Sequence, residues 1–99
     1  MEPLNRFVST ITEGNLWIYI LSLGIEKEIQ NKEVSGLIFD KFGFLPSELL
    51  IKTVLFRLRS QGYIKNEKFK GEKAFITSEK GKEELRKMKK YSEDLLQKL

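Results

Sequence analysis

Seven cations fall in the stretch from Leu49 to Lys73, namely Lys52, Arg57, Arg59, Lys65, Lys68, Lys70 and Lys73, opposed only by Glu67 and Glu72. That local surplus of five charges exceeds the +4 of the whole 99-residue chain, so the rest is slightly acidic. Basic side chains gathered without matching carboxylates are ligands for an anionic surface, and duplex nucleic acid presents the densest one. Ser47, Glu48 and Thr53 stand just before or among these cations. Hydroxyl groups of this kind meet phosphate oxygens and base edges, and a carboxylate can accept from cytosine. The same run also has a bland reading, a solvated face of a lysine-rich protein.

Other chemistry is thinly represented. The chain has no histidine and no cysteine. That removes the commonest general base, the commonest transition-metal ligand, disulfides and every Ser-His or Cys-His pair. Gly81-Lys82 is followed by Glu83 and lacks the upstream glycine of a phosphate loop. Glu83 and Glu84 are adjacent, so a helix points them to different sides. An enzyme is therefore not expected, and neither a metal nor a cofactor is called for. The longest apolar run, Leu16 to Leu23, is interrupted only by Ser22. It is too short for a bilayer, which takes about 20 residues, and it lacks the flanks of a signal peptide. The expectation is a cytoplasmic protein with no membrane partner, folded as one domain over residues 1–99.

The elements that must position the cations follow from the spacing of apolar residues. Leu4, Phe7, Val8 and Ile11 suit a short helix or an ordered arm. Asn15 suits an N-cap, and the sequence from Leu16 to Gln30 is apolar nearly all round, which predicts a central helix packed on two sides. Asn31 is placed to cap a second helix over about 32–42, where Val34, Leu37, Ile38 and Phe42 recur at spacings of three and four. Gly43 ends it, and Pro46-Ser47 opens a third helix over about 47–62 that turns Leu50 or Ile51, Val54, Leu55 and Leu58 inward.

Beyond Gly62 the period shifts from 3.6 toward 2. A β-hairpin over about 63–77 is predicted, turning at Lys70-Gly71-Glu72. Thr77 or Ser78 then caps a last helix over about 78–98. Two helices around a short connector, followed by a basic hairpin, outline a winged helix-turn-helix. The fold class is α+β, mostly helical, with a long C-terminal dimerisation helix.

With this order in place, the residues from Arg57 to Leu85 resemble PadR-like transcriptional regulators of the MarR-like superfamily. The resemblance rests on Arg57-Leu58, Gly62, the hairpin, and Thr77 with Gly81. Leu16 to Leu23 is similar to the family's first helix, and Lys52 stands where members often carry a tyrosine. The resemblance implies a winged-helix regulator that binds DNA. Some PadR-like proteins bind flat aromatics at the dimer interface, so a small-molecule effector stays an open question here.

The third helix, with its core stripe inward, is expected to present Glu48, Lys52, Thr53, Phe56 and Arg59 outward; Phe56 is equally readable as core. Lys52 and Thr53 are the candidate base readers. Ser47, Arg57 and Arg59 are candidate phosphate ligands, and Lys68, Lys70 and Lys73 those of the wing. Leu16, Trp17, Ile20, Leu85, Met88, Tyr91, Leu95 and Leu99 are the candidate dimer interface, because so small a domain has too little core to bury both apolar helices. A last helix folded back on its own domain gives the same pattern. The expected function is a homodimeric, sequence-specific regulator on double-stranded DNA, acting as a repressor. A winged helix used for protein–protein contact in a larger complex is the alternative, and the concentration of charge favours DNA over it.

Overall fold

The structure is a computed structural model that describes residues 2–6 and 14–99. Residues 3–6 form a single helical turn, and the expected placement of Phe7, Val8 and Ile11 lies outside the described residues. The first full helix, α1, spans Leu16–Leu23 and sinks Leu16, Ile20 and Leu21 into the core. Asn15 stands at its N-cap, but no side-chain capping bond forms; its backbone carbonyl accepts from Ile18 N at 3.0 Å.

The helix expected to continue to Gln30 ends instead at Leu23, with Gly24 at its C-cap. Thr77 is the reason. Its hydroxyl donates to the Leu21 carbonyl at 2.7 Å and its amide to the Gly24 carbonyl at 2.9 Å, so the last helical turn is satisfied from outside. Gly24 permits that approach, since a Cβ there would lie 2.8 Å from both Phe75 Cε2 and Thr77 Oγ1. Ile29–Gln30 then forms a short strand, β1, not part of a helix.

Asn31 does not cap the next helix. It opens a 3-10 turn over Asn31–Glu33, with its Oδ1 buried and without a hydrogen-bond partner, and Glu33 occupies the N-cap of α2, Val34–Phe42. Gly43 closes α2 in a left-handed conformation at φ +83°, donating to the Phe39 carbonyl. The connector leads to α3, Glu48–Ser60, whose N-cap Ser47 accepts from Leu50 N at 3.1 Å. Ile51, Leu55 and Leu58 are buried while Leu50 and Val54 are half-buried, which is the stripe the spacing required.

At the end of α3 the amide of Gly62 donates to Arg59 and that of Tyr63 to Leu58, a Schellman closure in which Gly62 takes φ +82°. The wing follows as β2, Ile64–Phe69, and β3, Glu72–Thr77, antiparallel from Ile64 opposite Thr77 to Phe69 opposite Glu72. Lys70 and Gly71 form its two-residue turn, both at positive φ, the geometry that matches strand twist. β1 pairs with the other edge of β3, giving a three-stranded sheet ordered β1-β3-β2.

Ser78, and not Thr77, caps the last helix, α4, Glu79–Lys98. Its hydroxyl accepts from Gly81 N at 3.2 Å and donates to the Gly62 carbonyl at 2.6 Å, while its amide donates to the Tyr63 carbonyl. One residue thereby ties the end of α3, the base of the wing and the start of α4. The core gathers side chains from all of these elements around α1, with Phe75 and Ile64 from the wing and Leu85 from α4. Beyond Met88, α4 and its C-cap carry Tyr91, Leu95, Leu96 and Leu99 exposed, and the chain is drawn out to 46 Å along its longest axis.

Candidate nucleic-acid interface

The sheet sorts the wing into two faces by strict alternation. Ile64, Asn66 and Lys68 of β2 stand opposite Thr77, Phe75 and Lys73 of β3, and this is the face whose base enters the core. Toward its tip the same face borders a cleft of about 730 Å³ against α3, lined by Glu48, Lys52 and Arg59 from the helix, Lys68, Glu72 and Lys73 from the hairpin, and Asn31 and Lys32 from the 3-10 turn. Four of the expected cations therefore share one depression.

Arg59 is held at the cleft. Its Nη1 donates to Asn66 Oδ1 at 3.0 Å, and its guanidinium lies 5.9 Å from the centre of the Phe56 ring. Asn66 is a contributor that sequence reasoning missed, because a lone polar residue on an exposed strand carries no distinguishing pattern. Phe56 is solvent-facing at 62% exposure, which settles its ambiguous helix face.

The opposite face of the wing is braced by a residue that sequence reasoning also missed. Gln30, 6% exposed, pairs with Ala74 and extends its amide to the Phe69 carbonyl at 2.9 Å. Lys32 meets Glu72 at 3.4 Å at the same end. The hairpin is thus fixed to the 3-10 segment as well as to α3, so its lysines are presented on a supported arm.

The remaining sites are distributed around this cleft. Ser47 is exposed at the start of α3, where unpaired helix amides favour an anion. Thr53 is exposed and its hydroxyl donates to the Leu49 carbonyl at 2.9 Å. Lys70 sits at the wing tip, its Nζ 5.2 Å from the Phe69 ring centre. Arg57 lies apart from the cleft, on the side of α3 that faces α1 and α4. There it borders a second cavity of about 410 Å³ with Trp17, Leu50, Val54, Tyr63 and Glu84. Trp17 is half-buried, and Tyr19 packs edge-on against Phe42 and Phe44 at 4.7 and 5.0 Å between ring centres.

Of the residues expected at a dimer interface, Leu16, Ile20 and Leu85 pack in the domain's own core at 1%, 0% and 3% exposure. Met88 is half-buried, whereas Tyr91, Leu95 and Leu99 remain open along α4. Among the described residues no helix is long and apolar enough to cross a membrane.

No protein-family model matches the sequence, and no curated protein matches it. Solved structures do. A transcriptional regulator from Clostridium thermocellum is similar with a TM-score of 0.77 and 26% identity, over 91% of this chain and 90% of that one. A PadR-family transcriptional regulator from Eggerthella lenta DSM 2243 gives 0.75 and 23%, over 95% and 82%. Bacillus subtilis PadR, solved in complex with operator DNA, gives 0.66 and 21% over 74% of this chain, which spans only 45% of that protein's length. With its helix-turn-helix, three-stranded wing and long last helix, the chain has the winged-helix fold of PadR-family transcriptional regulators.

Proposed function

We propose that this chain is a sequence-specific, double-stranded-DNA-binding regulator of transcription that works as a homodimer and represses by occluding promoter DNA. The observation that carries the reading is the cleft between α3 and the wing, where Lys52, Arg59, Lys68 and Lys73 converge and have no carboxylate within ion-pair distance among the described residues. In this reading α3 enters the major groove from its N-terminal end. Ser47 and the first free amides of the helix hold one phosphate, and Lys52 and Thr53 approach the base edges. The wing lysines run along the neighbouring backbone and set affinity more than sequence preference. Glu48 accepts from cytosine or favours the helix N-terminus.

The open apolar stripe of α4, with Tyr91, Leu95 and Leu99, supports pairing with a second copy, the half-buried Met88 continuing it toward the core and Trp17 adding a half-buried aromatic on α1. Two α3 helices about one turn of duplex apart, roughly 34–36 Å, then match a site with two-fold symmetry. The test is a salt titration of duplex binding by the wild type and by the Lys52→Ala/Arg59→Ala double variant, with the stoichiometry read at saturation. Two protomers per site are expected, with a log–log slope of roughly 0.9 per phosphate neutralised that is shallower in the variant. Salt-insensitive binding, or a variant that binds as tightly as the wild type, overturns the reading.

A further inference from the structure

The outermost stripe of α3 is not basic. At 3.6 residues per turn, Leu49, Thr53, Phe56 and Ser60 fall at spacings of four, three and four and share one face, opposite the buried Ile51, Leu55 and Leu58. Leu49 is 76% exposed and Phe56 62%, more than any buried-core role requires. The two hydroxyls of the stripe are turned to their own helix, Thr53 donating to the Leu49 carbonyl at 2.9 Å and Ser60 to the Phe56 carbonyl at 2.8 Å. The ridge therefore presents apolar surface and no free hydroxyl donor.

Cations flank this ridge on both sides. Lys52 and Arg59 lie along its wing side and border the cleft, while Arg57 lies along the other. An apolar crest between two basic flanks is complementary to a groove with phosphate on both walls and apolar groups on its floor. The major groove of duplex DNA is wide enough for a helix, and its one apolar base feature is the thymine C5 methyl.

From this we infer that Leu49, Thr53 and Phe56 form a thymine-methyl-reading surface, so that the preferred site is specified by thymines at fixed major-groove positions and by apolar contact. The inference rests on the DNA-binding reading above and deepens it: Arg59 serves the flank, Lys52 reaches base edges from that flank, and the crest adds discrimination by methyl contact. Arg59, lying near the Phe56 ring, links the two functions.

The experiment selects tight binders from a random duplex pool with the full chain and then replaces the thymines of a selected site by uracil, which removes only the methyl groups and keeps the base pairing. Affinity is expected to fall about fourfold for each thymine methyl that the crest covers, the equivalent of burying one methyl-sized group. Leu49→Ala, an exposed position whose truncation leaves the core intact, is expected to bind more weakly and to lose much of the sensitivity to uracil while keeping the wild-type salt slope. Equal affinity for the thymine and uracil duplexes, with the salt slope retained, overturns the methyl reading and leaves DNA binding standing. A change in oligomeric mass of Leu49→Ala overturns it too, because the crest is then a contact between copies. Absence of salt-dependent binding to every duplex overturns the DNA-binding reading itself, and this one with it.

Discussion

The first half of α4 and the stretch from α3 through the wing are both rich in lysine and arginine, yet they handle charge in opposite ways. In α4, Lys82 meets Glu79 at 3.3 Å, Lys87 meets Glu84 at 3.6 Å and Arg86 pairs with Glu83, all at i,i+3 spacing. Lys80 donates to the Gln61 carbonyl at 2.6 Å and lies 4.7 Å from the Tyr63 ring centre. Among the described residues, none of the seven cations between Leu49 and Lys73 has a carboxylate partner. The one ion pair of the wing uses Glu72 with Lys32, which lies outside that stretch. Lys68 and Lys73 even stand directly opposite each other across the hairpin. Net charge and pairing both separate the two regions: the first half of α4 sets three of its cations against its own glutamates, and α3 with the wing keeps its charge for an external anion.

The two regions meet where α4 begins, and the largest expected effect comes from breaking that junction. A Cβ on Gly81 would sit 2.3 Å from the Tyr63 carbonyl oxygen and 2.8 Å from Thr77 Cγ2. Backbone has to move to admit it. Gly81→Ala is expected to cost about 1–3 kcal/mol, as overpacking does, and to lower Tm by about 4–8 °C for each kcal/mol in a domain of this size. Thermal unfolding followed by circular dichroism measures it. An unchanged Tm would mean that α4 and the wing base are not packed against each other as described.

A smaller effect, with opposite signs on stability and binding, tests the wing. Like charges directly opposite in an antiparallel pair are destabilising, by about 0.2–1 kcal/mol. Lys68→Thr/Lys73→Thr is therefore expected to raise Tm by a few degrees, since β-branched threonine also suits a strand. The same variant is expected to weaken duplex binding and to flatten its salt dependence by roughly 0.9 for each phosphate that is no longer neutralised. A variant that is less stable, or that binds DNA with the wild-type slope, contradicts the contrast between a paired and an unpaired region.

The elements that position the cleft were legible because their signals are local. Ser47, Gly62 and the periodic Ile51, Leu55 and Leu58 mark α3, and Lys70-Gly71 marks the hairpin turn. The strand β1 was not legible. Two residues are too few to show a period, and what makes Ile29 and Gln30 a strand is the edge of β3, more than forty residues further along the chain. The early end of α1 was hidden for the same reason, since the groups that satisfy its last turn belong to Thr77. Helical phase indicated that Leu16, Ile20 and Leu85 are apolar and inward. Which body they turn toward, their own core or a second copy, is decided by packing among elements and not by spacing.

The smallest expected effect lies within α4 and asks whether its charges are as self-contained as the pairing implies. The Arg86 guanidinium, hydrogen-bonded to Glu83 and adding its positive charge, holds that carboxyl below its ordinary value of 4.5, with Lys87 assisting. A carboxyl lowered in the folded state contributes stability above its unfolded value and loses it as pH falls through the folded one. Glu83→Gln is thus expected to lower Tm slightly at neutral pH, with the difference vanishing in acid below the carboxylate range. The pair is solvent-exposed and screened, so its effect on stability is small. The substitution also frees Arg86 as an unpaired cation, which makes duplex binding the sharper reading. If α4 stands away from the phosphates, the salt slope of Glu83→Gln equals that of the wild type. A steeper slope would show that α4 also faces DNA and that pairing, not position, is what keeps its cations silent.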